Sequence, residues 1–192
     1  MGGFRVDVNE NDLARVTRKL HGMEKEARQA IRNAANDTAV KARKMLASEA
    51  QRRYTVKNGG FNDHAKLQRA TLANLTAIIK VDGKPLTAPR FHISVSKRYG
   101  VKMEQLKGSG LKTLEMSGIK AFTGTGQISG AKLVLQRKGP SRLPVHGRYG
   151  SSVPKMIEQV YDRGGFTSAA MKDKITELYH QNLEKQIARV VA

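Results

Sequence analysis

The sequence contains no cysteine and no tryptophan, and only 5% of its residues are aromatic. The missing cysteine excludes disulfide bonds and thiolate metal sites, which fits a reducing compartment. No apolar run approaches the roughly 18 residues of a membrane-spanning helix. The opening residues MGGFRV lack the hydrophobic segment of a signal peptide, and Val6 stands where a myristoylation site requires Ser or Thr. We therefore expect a protein that is made and used in a cytosol, without a membrane partner.

Acidic residues are also scarce, since 16 Asp and Glu stand against 35 Lys and Arg. The net charge of +19 and the pI of about 10.4 make copies of the chain repel one another and attract polyanions. Nucleic acid is one partner class that such a charge favours. An acidic ring of neighbouring protein subunits is the other. Charge alone does not choose between the two classes.

The residue patterns of common catalytic and cofactor sites are missing. No two of the five histidines stand at metal-ligand spacing, and the carboxylates are scattered. Gly124, Gly126 and Gly130 are spaced one residue wider than a dinucleotide fingerprint, and a strand pattern follows them instead of a helix. Zinc-finger, ribonucleoprotein and helix-turn-helix signatures are absent too. We therefore predict no enzyme, no cofactor and no metal site.

Helical patterns occupy the two ends of the sequence. After an alternating strand at 4–8, a helix begins at an Asn9 cap and ends at Gly22. A long helix follows at 24–53, with an alanine-rich stripe at the 3.6-residue period. Another helix, capped by Thr167 or Ser168, runs to the C-terminus. The predicted stripe of the long helix is Ala27, Ile31, Ala34, Ala35, Thr38, Ala42, Met45, Leu46 and Ala50, and that of the last helix is Met171, Ile175, Leu178, Tyr179, Leu183, Ile187, Val190 and Val191.

Strand patterns fill the middle of the chain. Residues 75–81 and 91–95 alternate between apolar and polar side chains, which predicts a hairpin with a loop of eight to ten residues. The stretch 61–75 is ambiguous, and 65–75 fits a short helix. Val101 and Met103 indicate a strand within the weakly patterned stretch 97–118, which we interpret as an insertion or a flexible loop. The order predicts a single α+β domain over 1–192, with a largely antiparallel sheet, a long N-terminal helix and a C-terminal helix packed on it.

The stretch 119–154 has the most distinctive pattern. Two apolar runs, 119–123 and 131–137, flank a glycine-rich connection and predict a hairpin. A basic loop follows and contains three of the five prolines, Pro140, Pro144 and Pro154. Such a loop holds an extended segment in one shape against a partner. A brief helix is predicted around 156–160, before a break at Gly164-Gly165.

This stretch carries a family resemblance. The motifs are Ala121-Phe122, the glycine-bearing turn 124–130, a strand ending at Arg137, Arg142-Leu143-Pro144, and Gly150 to Pro154 before a helix. With the 52–56 motif Arg-Arg-Tyr-Thr-Val and the Gly83-Lys84-Pro85-Leu86 turn, the chain resembles the phage minor tail protein Z family, the tail completion proteins of long-tailed phages. The stretch 97–118 matches poorly.

The resemblance implies a virion structural protein at the head-proximal end of the tail, which completes the tail and enables head-tail joining. The implied partners are the tail terminator, other neck or tail-tube proteins, and further copies in a ring of six or another symmetric set, with non-specific contact to phage DNA. Assembly would take place in the host cytoplasm. The alternative is a basic, sequence-independent nucleic-acid-binding protein. The predicted interface residues are Arg137, Lys138, Arg142, His146, Arg148, Arg43, Lys44, Arg52 and Arg53.

Overall fold

A 30-residue helix, α2, forms the centre of the fold. The computed structural model describes residues 2–6, 10–57, 60–126, 130–163 and 171–191. Helix α1 spans Glu10–Lys19 and α2 spans Glu24–Arg53, as predicted. The turn between them uses Gly22 at φ +88°, and the Gly22 N–H donates to the Thr17 carbonyl at 2.9 Å. The predicted cap, Asn9, lies outside the described residues.

The alanines of α2 let several elements approach the helix closely. All of the predicted stripe is buried except Met45, which is half-buried. Ala30, Ala39 and Ala47 are buried on further faces, so α2 is covered on more sides than the stripe predicts. The helix contacts α1, two short helices described below, the C-terminal helix and the sheet formed by β1 to β3. Small side chains bury little area each, but they permit backbone approach on every side.

The C-terminal helix, α5, spans Met171–Val191 and lies mainly against α2, with a further contact to β1. The Asn182 side-chain amide donates to the Thr38 hydroxyl at 2.8 Å, and the Gln186 amide donates to the Asp37 carboxylate at 3.2 Å. Of the predicted stripe, Met171, Ile175, Tyr179, Leu183 and Ile187 are buried, Leu178 and Val190 are half-buried, and Val191 is exposed. The predicted caps, Thr167 and Ser168, and the Gly164-Gly165 break fall outside the described residues.

The first sheet has the order β1-β3-β2, with both pairs antiparallel. Its strands are β1 Gly2–Val6, β2 Ala65–Gln68 and β3 Ala77–Val81. The predicted helix at 65–75 is therefore wrong in part, because pairing with β3 holds 65–68 extended after the single helical turn α3, Phe61–His64. The predicted hairpin of 75–81 with 91–95 is also wrong, since β1 and β2 occupy both edges of β3.

The second sheet joins residues that are near in sequence. Strands β5 His92–Ser96, β6 Gly100–Glu104 and β7 Lys112–Thr113 have the order β5-β6-β7. Before them lie β4 Pro85–Thr87 and a 3-10 turn at Ala88–Arg90. The strand predicted from Val101 and Met103 is confirmed, and both side chains are buried. The stretch 97–118 also carries β8 Glu115–Met116, which pairs with β9 Ile119–Lys120. Its reading as an insertion stays a prediction.

The hairpin predicted in 119–137 is confirmed as β10 Phe122–Thr125 paired with β11 Lys132–Arg137. Residues 127–129 of the connection are outside the described residues. The expected loop after Arg137 is shorter than predicted, because β12 Val145–Gly147 pairs with β11 and β13 Tyr149–Ser152 pairs with β4. The Leu143-Pro144 peptide bond is cis.

The residues of the 150–154 motif pack closely on their neighbours, and helix α4, Val153–Arg163, begins within this motif. A Cβ at Gly150 would collide with the ring of Phe91, which is fully buried. The Ser151 backbone N–H and hydroxyl both lie within hydrogen-bond distance of the Gln105 side-chain oxygen, at 3.1 and 3.0 Å. The Ser152 hydroxyl accepts the Lys155 N–H at 3.4 Å, in the manner of a helix cap.

The predicted α+β class is confirmed, with the helices grouped around α2. A largely antiparallel sheet was the expectation, and the pairings are antiparallel. The described residues form five small antiparallel sheets instead, because strands of two to six residues change partner along the chain.

Candidate interaction surfaces

Two of the four cations predicted on α2 line a groove. Lys44 and Arg52 are exposed there, with Lys107 and Asp63 on the opposite wall of a hollow of about 760 Å³. The Lys107 ammonium donates to the Gln51 carbonyl at 3.2 Å. The Arg52 guanidinium lies 3.4 Å from the Glu49 carboxylate, and exposed ion pairs of this kind contribute little to stability. Lys44 and Arg52 are therefore available to an anionic partner.

The other two cations of α2 are turned toward the protein. Arg43 is half-buried, and its Nε is buried without a hydrogen-bond partner among the described residues. The half-buried Arg53 guanidinium donates to the Gln159 carbonyl at 3.4 Å, which ties the end of α2 to α4. Both contribute charge to the local field, but neither presents a free head group as Lys44 does.

The second predicted group lies at the end of β11 and around β12. The Arg137 guanidinium is 5.5 Å from the centre of the Phe122 ring, within cation-π range. Lys138, Arg142 and His146 are exposed, whereas Arg148 is half-buried. The Arg148 backbone donates to Val134 and accepts from Ala88, so this residue also connects β11 to the turn at 88–90.

The structure thus places the nine predicted residues in two regions, on α2 and around the end of β11, and turns Arg43 and Arg53 toward the protein. Lys44 and Arg52 line the α2 groove, and Arg137 lines a different hollow together with Lys97 and Lys120. Within the described part of the chain, the two groups make no hydrogen bond or ion pair with each other. Their role as an interface stays a prediction.

A cluster around Tyr99 was missed by the sequence reasoning. The ring is 50% exposed, and the charged groups of Arg98, Lys102 and Lys120 lie 5.4, 5.6 and 6.0 Å from its centre. Tyr99 belongs to the turn between β5 and β6, and Gly100 follows at φ +72°. Lys120 can approach this position because Gly100 has no Cβ. A Cβ added to Gly100 would lie 2.8 Å from the Lys120 Cβ.

One local signal for this cluster is present in the sequence. Lys97-Arg98-Tyr99-Gly100 places two cations and an aromatic ring before a glycine, which is typical of an exposed turn. Lys120 is brought there by β9 and has no local signal.

Glu104 fastens the 105–110 segment. Its carboxylate lies 2.9 Å from His92 Nδ1 and accepts the N–H groups of Gly108 at 2.9 Å and Gly110 at 3.2 Å. The hydrogen bond with His92, assisted by the two glycine N–H groups, lowers the pKa of Glu104 below its ordinary value, although burial opposes the shift. This network positions the turn that precedes β7.

Within the described ranges, no group of three or more His, Asp or Glu side chains is arranged to hold a metal ion. Among the helices that the structure describes, none combines the length and the apolar character that crossing a membrane requires.

These features define an α+β protein with a helix-centred core and exposed basic grooves. The family model for prophage minor tail protein Z matches residues 12–192. The match covers nearly the whole chain, and the chain therefore belongs to the prophage minor tail protein Z family, as its motifs predicted. It is a structural component of a phage tail. No curated protein and no solved structure matched the chain.

Proposed function

We propose that this protein acts without catalysis at the head-proximal end of the tail, where it completes the tail and enables the tail to join the head. The family match over 12–192 carries this proposal, because it includes most of α1, the helices α2 to α5 and the strands from β2 to β13. In this position the protein would contact the tail terminator and other neck or tail-tube proteins. Its copies would form a ring of six or another symmetric set.

The distribution of charge supports docking on acidic neighbours. Lys44 and Arg52 on α2, and Arg137, Lys138 and Arg142 near β11, are exposed at two surfaces of a chain with net charge +19. A ring subunit needs more than one contact surface, since it must touch its neighbours in the ring as well as the tail. Electrostatic complementarity at such surfaces speeds association and selects partners.

Co-sedimentation with isolated tail tubes tests the proposal. The purified protein is mixed with tails that lack it, at low and high salt, and its mass is measured alone and in the pellet. We expect a defined oligomer and salt-resistant association with tails. The double variant Arg137→Gln/Arg142→Gln should bind tails at least tenfold more weakly, whereas Lys25→Gln/Lys185→Gln, with the same charge change on exposed helix positions, should bind normally.

The nucleic-acid alternative predicts a different outcome. A DNA-binding protein would bind duplex DNA tightly at physiological salt as a small species, with affinity that falls steeply as salt increases. Such binding, together with no association with tails, would overturn the proposed function.

A further inference from the structure

A groove lies between β5 and β10, and we call it the β5–β10 groove. It consists of two adjoining hollows of about 390 and 480 Å³ that share Val95 and Thr123. One hollow extends toward the Tyr99 turn through Ser96 and Lys97, and the other extends toward Lys132 at the start of β11. The groove therefore follows the length of two short strands.

The charges of the groove all have one sign. Its lining includes five cationic residues and no Asp or Glu among the residues that the structure describes there. The cationic residues are Lys57, Lys97, Lys120, Lys132 and Arg137. The Tyr99 cluster adds Arg98 and Lys102 beside one end. Cations that line one groove repel one another, and an anionic occupant would relieve the repulsion.

One wall of the groove is an open sheet edge. Strand β10 is an edge strand of the sheet β10-β11-β12. The Ala121 backbone points away from β11, because its N–H donates to Leu114 at 2.8 Å and its carbonyl accepts from Val101 at 3.1 Å. Directions alternate along an antiparallel strand, so the backbone groups of Thr123 and Thr125 point away from β11 as well. Neither has a backbone partner among the described residues.

Apolar side chains form part of the remaining surface of the groove, beside Ser96, Thr123 and Thr125. Ile93, Val95 and Leu133 line it, and Val95 is 54% exposed although it belongs to a strand beside a buried core. An added strand places every second side chain on one face of the sheet. Apolar residues at alternate positions would therefore reach Val95 and its neighbours.

We propose that the β5–β10 groove binds an extended, acidic segment of a partner protein, which adds as a strand to the free edge of β10. A polypeptide supplies the alternating N–H and carbonyl groups that the edge of β10 requires, and a nucleic acid strand does not. A second copy of this chain is a poor source of the segment, because Lys and Arg outnumber Asp and Glu by 35 to 16. The proposal goes beyond the proposed function and does not depend on the protein's position in the virion.

A labelled eight-residue peptide of alternating Glu and Val is the first probe, with binding to the full chain measured by fluorescence anisotropy. We expect saturable binding that weakens as salt increases. The same peptide methylated at every backbone nitrogen has no N–H to donate to the edge of β10, whichever direction the added strand takes, and should bind at least tenfold more weakly. A Lys and Val peptide should not bind. These comparisons use the unaltered protein, so they do not depend on the folding of a variant.

Variants of the chain test which surface the peptide uses. Thr123→Pro removes an N–H that points away from β11, which an edge strand tolerates, whereas Thr123→Ala keeps that N–H. We expect at least tenfold weaker binding for Thr123→Pro and near-normal binding for Thr123→Ala. Lys97→Gln/Lys132→Gln should lose at least fivefold, and the matched Lys25→Gln/Lys185→Gln variant should lose less than twofold.

Three results would overturn the proposal. The first is equal binding of the N-methylated and unmodified peptides. The second is equal loss in the groove variant and in the matched Lys25 and Lys185 variant. The third is an oligothymidine of the same charge that binds more tightly than the peptide and depends on Lys97 and Lys132, which would assign the groove to nucleic acid. Loss of tail co-sedimentation with intact peptide binding would overturn only the proposed function.

Discussion

The helical half of the protein and its sheet half use different means to reach a stable structure. Around α2, alanines and two buried amides bring helices into close contact, and α5 places Asn182 on Thr38 and Gln186 on Asp37. In the sheet half, short antiparallel sheets leave edges open and present cations to solvent. The comparison indicates that the helices supply much of the core, whereas the sheets supply an open strand edge and one of the two basic surfaces.

We expect the largest loss of stability from a substitution at Gly150, in the sheet half. In Gly150→Ala the new Cβ would collide with the buried Phe91 ring, and overpacking of this kind costs about 3 kcal/mol. Urea unfolding followed by circular dichroism measures the change. Gly139→Ala is the control, since a Cβ there meets nothing within 4 Å. An equal effect of the two substitutions would show that Phe91 does not pack closely on Gly150.

The close packing of the helical half predicts the next effect. Ala42 is fully buried on α2, on the same face as Thr38. Ala42→Leu should reduce the free energy of unfolding by about 2 kcal/mol, because there is no space for the added atoms. Lys25→Leu, at an exposed position of the same helix, should change it by less than about 0.5 kcal/mol. Stabilisation by Ala42→Leu would mean that the helices enclose unfilled space.

Two buried tyrosines differ in whether their hydroxyl groups have a hydrogen-bond partner. The Tyr179 hydroxyl is buried with no hydrogen-bond partner among the described residues, whereas the Tyr54 hydroxyl lies 2.5 Å from Gln159 Oε1. Tyr179→Phe should therefore stabilise the protein by about 1 kcal/mol, and Tyr54→Phe should destabilise it by a similar amount. The two unfolding curves, measured at neutral pH, check the signs. Destabilisation by Tyr179→Phe would reveal a partner for its hydroxyl.

The same tyrosine predicts a loss of stability in alkali. Burial raises the pKa of Tyr179, and the nearby Asp12 adds to the effect. The folded protein holds the proton, while the unfolded chain releases it near pH 10, the ordinary value. The stabilisation that the raised pKa of Tyr179 contributes is therefore complete below pH 10, and it is lost as the pH rises further. Tyr179→Phe should show a smaller decrease in melting temperature between pH 9 and 11 than the wild type.

The smallest effect on stability should come from Glu104. The pKa of this carboxyl is lowered chiefly by the hydrogen bond with His92, and the Gly110 and Gly108 N–H groups lower it further. Stabilisation by this carboxylate is present above its ordinary value of 4.5 and is lost as the pH falls through the lowered folded value. The amide resonances of Gly108 and Gly110 should titrate together with a midpoint below 4.5. A midpoint at or above that value would contradict the network.

Helices could be predicted from the sequence because their signals are local. The stripe and the ends of α2 follow from a 3.6-residue period, acidic residues in the first turn and basic ones in the last. Strand partners could not be predicted equally well, since pairing joins distant residues. Residues 77–81 gave a correct strand, but its partners, 2–6 and 65–68, have no sequence feature that distinguishes them from 91–95.

The candidate surfaces were predictable only in part for the same reason. Arg137 was found because it ends a strand in a basic stretch. Lys120 and Lys57 reach the β5–β10 groove through tertiary packing alone. Arg53 belongs to a visibly basic stretch, but its guanidinium donates to the Gln159 carbonyl within the protein. Charge counts therefore identify candidates, and the fold decides which of them face outward.

The proposed position of the protein at the head-proximal end of the tail is tested most directly by electron microscopy. The tails are assembled with protein that carries an affinity tag and a gold label. We expect gold at one end of each tail, the end that joins the head. We also expect less gold there when the Arg137→Gln/Arg142→Gln variant replaces the wild-type protein. Gold along the tail tube or at the distal tip, or tails without any gold that still join heads, would contradict it.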